Sequence, residues 1–260
     1  MYRLLIVTGN PSVKEMLTAM EGWEKMGFKP PRLFDTAEEA MEGLRCFKVD
    51  AVAVEDSPAF AGLMTCLDEQ YPCKPLFQLA PSEEEQRKVL QELYSLLTRL
   101  SADDTNDAYD DEYKLQLQRD RWLRKVVCGL IPTREDLVRQ LKLYRCREQA
   151  DVPCVLARLE LPDDDGFLSN RWHYGSERLE TALRNFFGYE REHMLMHVAV
   201  ISQQEVRILC YPASADHGVS ENAAFEYIQE TIDQIDHYLG LHMKVLEVHR
   251  VPGLCAFTAG

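Results

Sequence analysis

The sequence predicts an α/β chain in two parts. A parallel sheet with helices on both faces comes first, and an α+β unit in the order β-α-β-β-α-β follows. Three observations carry this. Short apolar runs alternate with capped helical patterns through residues 1–100. Residues 101–112, SADDTNDAYDDE, hold six acids, no basic residue and no large aliphatic one, and mark a boundary. Beyond residue 150, two apolar runs form a hairpin across Ser202-Gln203-Gln204-Glu205, set between two helical patterns.

Composition bounds the function. A chain of 260 residues, 46% hydrophobic and 28% charged, is long enough for two globular domains. It has no run of 18 or more apolar residues, so no membrane-spanning helix is expected. Met1 to Val7 reads as a first strand rather than a signal peptide. The eight cysteines include no Cys-x-x-Cys pair and fit buried thiols of a reducing cytoplasm, with no metal expected. The net charge is −14, and residues 1–100 carry 11 basic against 16 acidic groups. Neither half has the basic surplus that phosphate neutralisation requires, so nucleic-acid binding by these residues is not expected.

The first part reads in order. Residues 2–7 form a strand. Asn10-Pro11 starts a helix to about Met26, ended by Gly27. Residues 31–35 form the second strand, and the capping box Thr36-Ala37-Glu38-Glu39 starts a helix to Phe47. Residues 50–55 form a buried third strand that ends in Glu55 and Asp56. Asp56 or Ser57 caps the next helix, with Pro58 in its first turn. Pro75 to Ala80 is a fourth strand, and Ser82 with Glu85 is a capping box for a helix to about Leu100.

The second part begins with a helix over 113–131, whose apolar stripe is Leu115, Trp122, Val126 and Leu130. A helix capped by Thr133 runs to about Tyr144. A strand over 152–161, a helix over 172–187, the hairpin strands 194–201 and 206–211, a helix over 221–239 and a strand over 243–248 complete the chain. This order is the split-βαβ, ferredoxin-like pattern. Glu160 and Glu205 are a candidate ion-binding pair, whereas Asp163-Asp164-Asp165-Gly166 reads as a solvated turn. His193 and His197 are four apart, which suits a metal on a helix but not on the strand expected there.

Residues 1–100 resemble the receiver domain of two-component response regulators, a flavodoxin-like fold, here missing one αβ unit. The resemblance implies a phosphoacceptor acid at the end of the third strand, where this chain has Glu55, with Asp56 one place later. Thr8 and Gly9 stand where a receiver has its Mg²⁺-binding acids, and Ala80 stands where it has Ser or Thr. A divalent ion is needed to neutralise charge on a transferred phosphoryl group, so an inactive site is expected. Glu55 is then either a fixed charge resembling the phosphorylated state or a solvated acid capping the next helix.

The second part resembles a degenerate nucleotide cyclase of the Gly-Gly-Asp-Glu-Phe type. Ser202, Gln203, Gln204 and Glu205 align with its motif, and Glu160 aligns with its first-strand metal acid. Ser202 and Gln203 replace the glycines that let backbone approach a nucleotide. Together the two likenesses resemble AraC-type response regulators without their helix-turn-helix part. The expected division is a degenerate receiver at 1–100, an acidic linker and connector helix at 101–131, and a degenerate cyclase-like domain at 132–260. The expectation is a cytoplasmic, non-enzymatic signalling protein acting through protein–protein contacts, with no cofactor and no membrane association. It is expected to be a homodimer with Trp122 at the contact, open to a regulatory protein partner. The alternative is a small-molecule or nucleotide sensing module in the second domain.

Overall fold

The computed structural model describes residues 1–102, 110–163, 166–214 and 217–258. It contains a three-stranded parallel sheet and a separate five-stranded antiparallel sheet. The chain divides into two compact units. The first is Met1–Gln118 with Arg139–Cys146, and the second is Arg119–Val138 with Arg147–Gly260. Composition marks the break at the acidic stretch, whereas packing marks it inside two helices, at 118/119 and 138/139. Residues 103–109 of the acidic stretch lie outside the described residues. No described helix is long and apolar enough to cross a membrane.

In the first unit, β1 (Leu4–Val7) lies between β2 (Arg32–Phe34) and β3 (Ala51–Val54), all parallel. Leu5, Val7 and Val52 face one side of the sheet, where α2 (Ala37–Cys46) and α3 (Ala61–Gln70) contribute Ala40, Leu44, Leu63 and Leu67. Leu4, Ile6, Ala51 and Ala53 alternate to the other side and are equally buried. In the same unit, α1 (Pro11–Ala19) buries Leu17 and α4 (Glu83–Ala102) buries Leu90, Leu93 and Leu96. Asn10 and Thr36 cap their helices through side-chain oxygens, as their positions imply. The helix expected to reach Met26 ends at Ala19, and a single 3-10 turn, Glu24–Met26, closes on Gly27 at φ 87°.

The fourth strand expected at Pro75–Ala80 is a correction. It shrinks to one parallel bridge, Val52 with Leu76. Val52 N–H donates to Pro75 O at 3.1 Å and Phe77 N–H to Val52 O at 3.0 Å, and then the chain turns away. Past the bridge, the Ala80 N–H donates to the buried Gln86 Oε1 at 2.9 Å, which ties the end of the segment to the next helix rather than to the sheet.

Helix α5 (Asp111–Val127) and helix α6 (Arg134–Leu143) each belong partly to both units. The second unit's sheet contains β4 (Cys154–Glu160), β5 (Glu190–Arg191), β6 (Met194–Val200), β7 (Glu205–Pro212) and β8 (Lys244–Val251), in the order β5-β6-β7-β4-β8. Helices α7 (Gly175–Phe187) and α8 (Glu221–Leu239) connect β4 towards β6 and β7 to β8. The core takes Val155, Ala157 and Leu159 from β4 and Val206, Ile208 and Cys210 from β7, a strict period of two. Against these pack Leu179, Leu183, Ile228, Ile232 and Ile235 from α7 and α8. Ser220 caps α8 through the Ala223 N–H, and Gly240 ends it at φ 67°.

Candidate functional site

The carboxyl edge of the parallel sheet brings together all five residues expected around a phosphoacceptor position, four of them in the wall of one cleft. β2 and β3 lie on opposite sides of β1, so the strand order reverses at the β1/β3 junction, where open α/β sheets place ligands. Thr8 and Gly9 follow β1, and Glu55 and Asp56 follow β3. Ala80 lines the same cleft as Thr8, Glu55 and Asp56. Gly9 is at this edge but is not part of the cleft wall.

Glu55 turns towards the loop after β1. Its Oε2 accepts from Thr8 Oγ1 at 2.6 Å, Gly9 N at 2.7 Å and Asn10 N at 3.3 Å. Thr8 is fully buried, so its hydroxyl is held in place. The Thr8 hydroxyl, backed by the Gly9 and Asn10 amides, holds the Glu55 carboxyl below the usual carboxylate range. This corrects the second of the two expectations for Glu55: the acid is tied to the loop after β1 and does not cap the next helix. Ser57 caps instead, accepting from Ala59 N at 3.4 Å, and a 3-10 turn at Pro58–Phe60 precedes α3. The latch was not visible in the sequence, although a Thr-Gly-Asn run opposite a strand-end Glu offers one hydroxyl and two amides for it.

The cyclase-like positions have a different outcome. Glu160 and Glu205 are direct cross-strand partners, as an ion-binding pair would need. The Glu205 carboxylate, however, accepts from Arg207 Nε at 2.7 Å and lies 3.5 Å from Arg158 Nε. Arg207 and then Arg158 hold its carboxyl below the usual range. Two guanidinium groups therefore already neutralise the Glu205 carboxylate. Ser202 Oγ accepts from Gln204 N at 3.1 Å, and Gln204 O accepts from Leu161 N at 2.9 Å, so this turn satisfies itself. Gln203 is exposed at its tip.

Asp163 caps the turn at Phe167–Arg171 through the Leu168 and Ser169 amides, at 2.7 and 3.1 Å. Asp164 and Asp165 lie outside the described residues. His193 stacks on His217, with ring centroids 4.1 Å apart, while His197 pairs with Glu148 at 2.5 Å, so the two histidines do not converge. Among the described residues, no group of three or more His, Cys, Asp or Glu side chains could hold a metal ion.

Trp122 requires a correction. It is 2% exposed, and Leu115 and Val126 are fully buried, so most of the stripe is covered within the chain itself. The indole is not on the surface where a dimer contact would need it. Leu130 is 66% exposed because α5 ends at Val127 and Gly129 turns the chain at φ 70°.

The second unit also holds a buried ionic cluster that sequence reading missed. Arg184 lies 3.1 Å from both Asp120 and Glu180, and Glu180 Oε2 accepts from Val200 N at 2.9 Å. The i,i+4 spacing of Glu180 and Arg184 was the available signal, but it gave no sign of burial. The sequence matches no family model, and a search of curated proteins finds none similar to it.

Proposed function

We propose that this chain is a cytoplasmic, non-enzymatic signal-transduction protein. It is the response-regulator-like part of a transcriptional regulator and acts through protein–protein contacts as a homodimer. The first unit is read as a flavodoxin-like receiver that has lost phosphotransfer, and the second as a ferredoxin-like, degenerate cyclase domain. The strand order β6-β7-β4-β8 with two helical crossovers supports the ferredoxin-like reading.

The observation that carries the proposal is the Glu55 latch. The strand-end acid spends one oxygen on a hydroxyl and two amides of its own chain. Thr8 and Gly9 supply no carboxylate beside it to hold a divalent ion. The edge therefore has the layout of a receiver site without the chemistry. Intact-mass measurement after incubation with acetyl phosphate and Mg²⁺ tests this. No added phosphoryl mass is expected, and a stable adduct on Glu55 or Asp56 would overturn the reading.

A further inference from the structure

The cleft beside the Glu55 latch belongs to the first unit and has a volume of about 730 Å³. One wall is a notch in the sheet. β3 and the segment after Leu76 share one bridge and then separate. Peptide groups two apart in a strand point the same way. Those of Val52 meet Pro75 and Phe77, so those of Val54 face the notch, where the segment has left them. The apolar lining includes Val13, Met64, Leu76 and Leu79.

The lining also carries both signs of charge. Asp56 and Lys142 are exposed, and neither forms an ion pair with another described residue. Glu55 is already engaged by the loop after β1. The cleft thus combines an open strand edge, an apolar lining, one available carboxylate and one available ammonium.

We propose that this cleft binds a short apolar peptide with both ends free, a dipeptide or tripeptide. The peptide's ammonium pairs with Asp56 and its carboxylate with Lys142, its backbone adds to the Val54 edge, and its side chains lie on Met64, Leu76 and Leu79. Strand addition supplies main-chain hydrogen bonds while the end charges set length and direction. A cleft of this volume is in the range that encloses small ligands. The inference goes beyond the signalling proposal and does not depend on it, because binding is measurable whatever the chain controls.

Isothermal titration of the full chain with Leu-Leu, N-acetyl-Leu-Leu, Leu-Leu-amide and free leucine tests it. Blocking either end is expected to weaken binding by about tenfold, the usual effect of losing one charge-assisted contact. In Lys142→Gln the amide should bind as well as the free acid, and in Asp56→Asn the acetylated peptide should bind as well as the free amine. Both residues are exposed, so the variants should keep the fold, which circular dichroism checks. Equal binding of free and blocked peptides, free leucine binding as tightly as Leu-Leu, or no binding at all would overturn the proposal. Peptide binding together with a phosphoryl adduct on Glu55 would sink the signalling reading and leave this one standing.

Discussion

Glu148 and His197 show what single buried residues do to stability. The His197 ring is 2.5 Å from the Glu148 carboxylate, and both side chains are almost wholly buried. Burial opposes both charges, but each partner holds the other ionised. The Glu148 carboxyl therefore lies below its usual range and the His197 imidazolium above its own. The sign of the pH dependence follows for each group. A raised histidine stabilises fully below the unfolded value of about 6.5, and that contribution is lost as pH rises through the folded value. A lowered glutamate stabilises above the unfolded value of about 4.3, and that contribution is lost as pH falls through the folded value. The pair should therefore stabilise most between about pH 4.3 and 6.5. Glu148→Gln is expected to cost about 3 kcal/mol, as breaking a buried pair does, and to flatten the decline above pH 6.5. Urea unfolding at several pH values measures both, and an unchanged pH profile would contradict the pairing. Neither partner was legible beforehand: Glu148 sits in a polar loop and His197 on a strand, 49 residues apart, with no local pattern to join them.

At the scale of elements, the caps and the periodic helices were legible and the fourth strand was not. Asn10, Thr36 and Ser220 act through their own side chains on amides two or three residues away, so local sequence suffices to place them. The apolar run Leu76-Phe77-Gln78-Leu79-Ala80 has strand composition, but Gln86 takes its last amide donor from the next helix. Propensity cannot register where a segment leaves the sheet. Gln86→Ala would leave the Ala80 N–H without its acceptor and is expected to cost about 2 kcal/mol, within the range for an orphaned buried group. Chemical denaturation measures this, and a neutral result would show that water replaces Gln86. On α5, the apolar stripe through Trp122 implies a covering surface, but periodicity does not say which surface. Trp122→Ala is expected to destabilise the chain by about 3–5 kcal/mol as a buried large-to-small change. It should leave the subunit count of the folded fraction unchanged. Thermal unfolding and light scattering read the two effects separately, and a folded variant that loses only self-association would restore Trp122 as a contact.

At the scale of the whole molecule, the sequence signalled a parallel sheet followed by a hairpin-containing α+β unit, because alternation and crossover order are local patterns. It did not signal that α5 and α6 would each be divided between units, since that depends on packing at a distance. The same limit hid the latch within the candidate site. Thr8 and Glu55 are 47 positions apart in the chain and 2.6 Å apart in space.

That contact also has a consequence in time. A phosphoryl group on an acid is a stored mark, and it persists until hydrolysis removes it. With one Glu55 oxygen tied to Thr8, Gly9 and Asn10, and no carboxylate at Thr8-Gly9 to hold a divalent ion, this sheet edge is proposed not to take such a mark. Under the proposed reading, anything it senses arrives and leaves by diffusion. Its state then tracks the present concentration of its ligand, and after withdrawal it resets at the dissociation rate. A receiver that keeps its acid can remember a stimulus after it has gone; this one would report only the stimulus still present.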